Sequence, residues 1–167
     1  HSSKEAKDTI REAQRVGFNN INLDLIFALP NQTLDRWKSN LHQAIELQTQ
    51  HISAYSLIIE DRTPLARMVQ SRQVTPSPTE TDAELYECTM DILANHGFEH
   101  YEVSNYAKPG FRSRHNYNYW NHSNYLGFGP SAHSFWMNRR WWNAASLRIY
   151  CDSIGNGRLP IAGEELL

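Results

Sequence analysis

Long apolar runs are missing from this sequence: no stretch approaches the roughly twenty residues that a bilayer-spanning helix needs, so a membrane-crossing helix is excluded. The chain is expected to be soluble, which is compatible with peripheral contact at a membrane face. Cysteine is scarce. Cys88 and Cys151 stand far apart, each in a helical pattern and without metal-type spacing, and read as reduced thiols packed as small hydrophobes. An excess of one charge is also lacking: 16 Lys and Arg against 18 Asp and Glu give a formal net charge of -2. A broad phosphate-binding surface is therefore disfavoured, and nucleic acid is not an expected partner. Internal repeats and low-complexity tracts are absent. What is present is 167 residues with 40% apolar content, enough to bury the core of one domain or slightly more. The first residue is His1 rather than methionine, and Ser2-Ser3-Lys4-Glu5 reads as a helix cap, so a piece of a longer chain is expected.

Ala6, Ile10, Ala13 and Val16 recur at helical spacing over residues 4–16, and Gly17 stops the pattern. Residues 20–28, NINLDLIFA, predict a strand buried on both faces, with Asp24 as the exception. A carboxylate there must be hydrogen-bonded or paired. A turn over residues 29–33, with Thr33 or Asn31 as N-cap, leads into a helix whose face is Trp37, Leu41, Ala44 and Ile45. Residues 51–59 predict a second strand. This alternation is the signature of βα units on a parallel sheet, where ligands gather at the carboxyl ends of strands, and there Asp24, Ser56 and Glu60 or Asp61 are expected to emerge. Asp24 alone supports a ligand contact and a structural hydrogen bond about equally.

A proline-initiated helical turn is predicted from Pro64, then a loop over 75–79 and a helix over 80–95 with the stripe Ala83, Tyr86, Met90 and Leu93. Residues 98–106 alternate as one strand, residues 134–142 fit a hairpin through Met137-Asn138-Arg139, and residues 144–154 fit a helix ended by Gly155-Asn156-Gly157.

The densest stretch is residues 112–134, RSRHNYNYWNHSNYLGFGPSAHS. Three histidines, a run of aromatics and two glycines in so short a segment suit a site better than a core or a solvated face. His122 reads as part of a solvated loop and His133 as a buried structural residue, while His115 stands open between a site residue and a hydrogen-bonded structural histidine. A zinc site is disfavoured, because the spacings of seven and eleven are not compact and no cysteine or carboxylate accompanies them. Trp136, Trp141 and Trp142 with Arg139 and Arg140 fit interior packing or a protein contact.

Five ordered segments, NLDLIFALPNQT at 22–33, YEVSNYAKPG at 101–110, RHNYNYW at 114–120, YLGFGPSAHS at 125–134 and RRWWN at 139–143, resemble the HemN-like radical S-adenosylmethionine (SAM) proteins. Within that family the resemblance is greatest to the HemW-type haem chaperones, often labelled oxygen-independent coproporphyrinogen III oxidase-like. It implies an α/β fold: the last βα units of a radical-SAM partial (β/α)6 TIM-like barrel over residues 1–75, then the start of an α+β C-terminal HemN-type domain over 76–167. It further implies that Asp24 and Ile26 approach SAM. His115, Asn116, Tyr119 and Trp120 match the HNxxYW motif associated with haem in the chaperone members, with His115 on the haem iron. The family's cluster-binding cysteines have no counterpart here, so the ligands of the 4Fe-4S cluster are expected upstream, and this chain alone is expected neither to hold the cluster nor to cleave SAM.

The implied function is haem binding and delivery to acceptor proteins in the cytoplasm; a peripheral position on the inner membrane face and a homodimer of the full-length protein are compatible with it. The competing expectations are an oxidase that decarboxylates coproporphyrinogen III, and a structural module without chemistry of its own.

Overall fold

The computed structural model describes residues 2–167. Helix α1 (Ser3–Arg15) begins where the sequence places its cap: the Ser2 hydroxyl accepts from the Glu5 N–H, and the Glu5 carboxylate accepts from the Ser2 N–H at 2.6 Å. Gly17, at φ 101, ends it in the left-handed region that glycine enters without penalty.

Strand β1 (Asn22–Phe27) and strand β2 (His51–Ser56) are parallel and in register, Asp24 opposite Ser53 and Ile26 opposite Tyr55. They are joined by helix α2 (Leu34–Glu46), capped by the Thr33 hydroxyl, which accepts from the Arg36 N–H. This is the expected βα unit. Helix α3 (Pro64–Gln70) follows, with Pro64 in its first turn, and then the longer helix α4 (Thr79–Asn95). The single strand expected over 98–106 is instead two: β3 (Glu99–His100) and β4 (Asn105–Ala107) form an antiparallel hairpin. β4 also lies antiparallel to β2, so the sheet order is β1-β2-β4-β3 and only its β1-β2 half is parallel.

One face of this sheet carries the core: Phe27, Trp37, Leu41, Ile52, Leu85, Leu93, Phe98 and Tyr106 form one buried cluster. Of the expected α4 stripe, Leu93 is fully buried and Tyr86 and Met90 pack against the core, while Ala83 is exposed and Leu85 and Thr89 are buried in addition. Thr89 belongs at the centre because its hydroxyl accepts the Trp37 indole N–H at 2.8 Å, a buried bridge between α2 and α4. The other sheet face is different. β1 is the edge strand, and it alternates between half-buried Leu23 and Leu25 and exposed Asn22, Asp24 and Ile26, the last 51% exposed. The expected strand buried on both faces is thus one-sided. Its hydrophobic reading came from Leu23, Leu25 and Phe27, which face the helices, while Ile26 contributes to the run without being buried.

A second compact unit spans Ser113–Leu167, the first ending at Arg112. It holds helix α5 (Arg114–Trp120) and the antiparallel strands β5 (His133–Trp136), β6 (Arg139–Asn143) and β7 (Ile161–Leu166), with helix α6 (Leu147–Gly155) between the last two strands. The predicted hairpin is present. Its two central residues, Met137 and Asn138, both take positive φ, 48° and 64°, the turn whose twist matches the flanking strands. Strand β7 has no clear signal in the sequence, where IAGEEL lacks sustained alternation. A side chain at Gly163 would stand 2.4 Å from the Trp142 ring, so glycine is what lets β7 close on β6. Among the described residues no helix is long and apolar enough to cross a membrane.

Candidate functional site

Asp24 sits in the middle of β1, not at its carboxyl end, and its side chain is on the sheet face that the helices leave uncovered. The expectation of a buried carboxylate is corrected: the residue is exposed, because its face of the edge strand has nothing packed on it. It is nevertheless held. The Asn22 side-chain amide donates to Asp24 Oδ1 at 2.6 Å. Behind that amide lie the Ser53 hydroxyl at 3.1 Å and His51, whose Nδ1 is 2.6 Å from Asn22 Oδ1 and whose Nε2 is 2.7 Å from the Tyr101 hydroxyl. His51 and Ser53 are buried. Burial pushes the His51 pKa below its usual value, and the nearby charges of Asp24 and Glu102 oppose that shift.

On the same face Asn105, the register partner of Ser53, has a buried Oδ1 with no hydrogen-bond partner among the described residues. The exposed Asp24 carboxylate, which accepts hydrogen-bond donors, stands beside the exposed apolar Ile26. That chemistry fits a ribose or amino-acid group. Ser56, by contrast, is taken up structurally: its hydroxyl donates to Asp82 Oδ2 at 2.7 Å. Glu60 and Asp61 are exposed in the segment after β2.

Asn22, His51 and Tyr101 were not among the expected site residues. A period-two reading of HISAYS puts His51, Ser53 and Tyr55 on one face; that they lie beside Asn22, Asp24 and Ile26 on the same sheet face is set by strand register. Tyr101 joins them only through the β3-β4 hairpin, which the single-strand expectation hid.

In the second unit, His115, Asn116, Tyr119 and Trp120 all lie on α5, whose N-terminus is capped by the Ser113 hydroxyl accepting from the Asn116 N–H at 3.3 Å. Four-residue spacing puts His115 and Tyr119 on one side of the helix, with His115 Nε2 3.3 Å from the Tyr119 hydroxyl and the rings edge to face at 5.0 Å. Tyr119 stacks edge to face on Tyr125 at 4.7 Å. His115 is exposed, as are the rings of Tyr117, Tyr119 and Trp120, the last 56% exposed. An accessible imidazole among uncovered aromatic faces fits an iron macrocycle, which needs a nitrogen ligand and flat apolar cover.

Below α5 the glycine-rich segment is a scaffold. A side chain at Gly127 would stand 2.1 Å from the His133 carbonyl oxygen, the Gly127 N–H donates to Ser134 Oγ at 2.9 Å, and the Gly129 carbonyl accepts from Asn143 Nδ2 at 3.0 Å. His133 itself is exposed, contrary to expectation; it opens β5, and burial falls on Ser134 and Phe135 instead. His122 is exposed after α5, as expected of a solvated loop. Among the described residues no three histidines, cysteines or carboxylates gather as a metal site. Cys88 on α4 and Cys151 on α6 belong to separate units and do not fit an iron-sulfur cluster.

No family model matches the chain. It is 38% identical over 160 residues to the heme chaperone HemW of Bacillus subtilis, covering 96% of this chain and 42% of that protein. To the heme chaperone HemW of Lactococcus lactis it is 40% identical over 151 residues, 90% of this chain and 40% of that protein. The solved structure of coproporphyrinogen III oxidase (HemN) from Escherichia coli, a radical SAM enzyme, superposes with a TM-score of 0.76 at 17% identity, over 100% of this chain and 41% of that one. Likeness at that identity concerns the fold alone. The chain spans about two fifths of the length of the curated relatives it matches.

Proposed function

We propose that the chain, similar to heme chaperone HemW over about two fifths of that protein's length, is a HemW-type member of the HemN-like radical SAM family and carries the haem-contacting part of a haem chaperone that delivers haem to acceptor proteins. The observation that carries this reading is the exposed His115 imidazole on a capped helix beside the exposed rings of Tyr119 and Trp120. His115 would ligate the iron, while Tyr119 and Trp120 would cover the macrocycle; Asn116 completes the motif. Ligation through Nε2 replaces the exposed hydrogen bond to Tyr119, a loss of about 1 kcal/mol that an iron-nitrogen bond outweighs.

Family membership implies SAM and a 4Fe-4S cluster for the full-length protein. Asp24 and Ile26 are the SAM contacts in this proposal, and the cluster's thiolates belong to the part of the protein outside this chain. Residues 1–75 are assigned to the last βα units of the barrel and 76–167 to the start of the C-terminal region. The oxidase reading rests on likeness of fold, and no observation in this chain favours it over haem carriage.

Haem titration of the full-length protein, followed at the Soret band with His115→Ala alongside, tests the proposal. The variant is expected to bind haem at least tenfold more weakly, a loss of about 1.4 kcal/mol or more. An unchanged band and affinity in the variant remove His115 as ligand.

A further inference from the structure

The hydrogen bonds around Asp24 run in one direction. A carboxylate accepts and an amide nitrogen only donates, so the 2.6 Å contact between Asn22 Nδ2 and Asp24 Oδ1 fixes which way the Asn22 amide faces. Its carbonyl oxygen must then point at His51, and the 2.6 Å contact there requires the proton on His51 Nδ1. With that tautomer His51 Nε2 has only a lone pair, which accepts the Tyr101 hydroxyl proton across 2.7 Å. Ser53 braces the middle of the chain, its hydroxyl 3.1 Å from Asn22 Nδ2 and 3.2 Å from Asn22 Oδ1. A flipped Asn22 amide would set two oxygens against each other at Asp24, whichever tautomer His51 took.

We infer that Asn22 is a positioning residue for the Asp24 carboxylate, its amide locked by the neutral, Nδ1-protonated His51 and by the Tyr101 hydroxyl, so that Asp24 Oδ1 is pinned and Oδ2 is turned to a ligand. The inference rests on the reading of Asp24 as a SAM contact; the ligand groups it selects are the hydrogen-bond donors of SAM, a ribose hydroxyl or the amino group. Among the described residues Asp24 Oδ2 has no partner. The device spans three chain segments, β1, β2 and the β3-β4 connection, and it is rigid because His51 and Ser53 are buried between strands. Burial keeps the imidazole neutral against the charges of Asp24 and Glu102, which face it.

The test measures SAM dissociation constants by equilibrium dialysis on the full-length, cluster-loaded protein, for Asp24→Ala, Asn22→Ala, Tyr101→Phe and the double variant Asp24→Ala/Asn22→Ala. Asp24→Ala is expected to weaken binding more than tenfold, Asn22→Ala about three- to tenfold and Tyr101→Phe about twofold. In the Asp24→Ala background, Asn22→Ala is expected to cost nothing further. Nitrogen NMR of the His51 imidazole supplies a readout that a merely structural role would not move: Nδ1–H in the wild type, drifting toward Nε2–H in Tyr101→Phe, a change too small to threaten folding. Asn22→Ala binding SAM like the wild type, or losing the same factor with and without Asp24, overturns the positioning role while leaving Asp24 as a SAM contact. Wild-type binding by Asp24→Ala overturns the SAM reading itself, and with it the inference. An Nε2–H tautomer in the wild type contradicts the chain of bonds directly.

Discussion

His51 carries the sharpest residue-scale consequence. Its pKa is held below 6.5 in the folded protein by burial, so between that folded value and the unfolded value near 6.5 the unfolded chain binds the proton more readily. The stability that neutral His51 contributes is therefore complete above about 6.5 and is lost as pH falls through the folded value. Denaturant midpoints measured from pH 8 down to pH 5 are expected to decline across that window, with a shallower decline in His51→Gln; parallel curves for the two proteins would show that His51 does not set the slope. Asp24 was legible in the sequence as a carboxylate out of place in an apolar strand, but its partners were not. Asn22, His51 and Tyr101 are ordinary polar residues until strand register and a hairpin bring them into line, and register is a long-range property that one strand's pattern does not contain.

Capping and periodicity made most elements legible. The Ser2-Glu5 box, the Thr33 cap, the proline-started turn at Pro64, the Met137-Asn138 turn and the glycine stops act within a few residues, so the local sequence specifies them. Elements decided by contacts at long range differ from the local pattern: β1 is one-sided, residues 98–106 are two strands, and α4 buries Leu85 and Thr89 where the pattern has Ala83, with Tyr86, Met90 and Leu93 packed as expected. The α4 difference has a specific cause. Thr89 is polar and was passed over, yet it lies fully buried, accepting the Trp37 N–H and donating to the Leu85 carbonyl at 2.7 Å. Thr89→Val keeps the shape and leaves the Trp37 N–H buried without an acceptor, which costs about 1–3 kcal/mol. A lowered thermal midpoint is expected, partly restored by adding Trp37→Phe. If Thr89→Val is as stable as the wild type, the bridge between α2 and α4 contributes nothing.

At the scale of the whole molecule, two compact units divide the candidate chemistry: a one-sided sheet that presents Asp24 and Ile26, and a small antiparallel sheet whose glycine scaffold supports α5. Family resemblance was readable because its motifs are contiguous segments. The division at Arg112 was not, because the hairpin that extends the first unit is hidden until β4 pairs with β2. Haem contact by α5 is the central claim, and it turns on one nitrogen atom. In the ferric haem complex of the full-length protein, prepared with isotopically labelled histidine, pulsed electron paramagnetic resonance reads the hyperfine coupling of any imidazole nitrogen bound to iron. That coupling is expected in the wild type and lost in His115→Ala; the same coupling persisting in His115→Ala would remove α5 as the contact to haem iron.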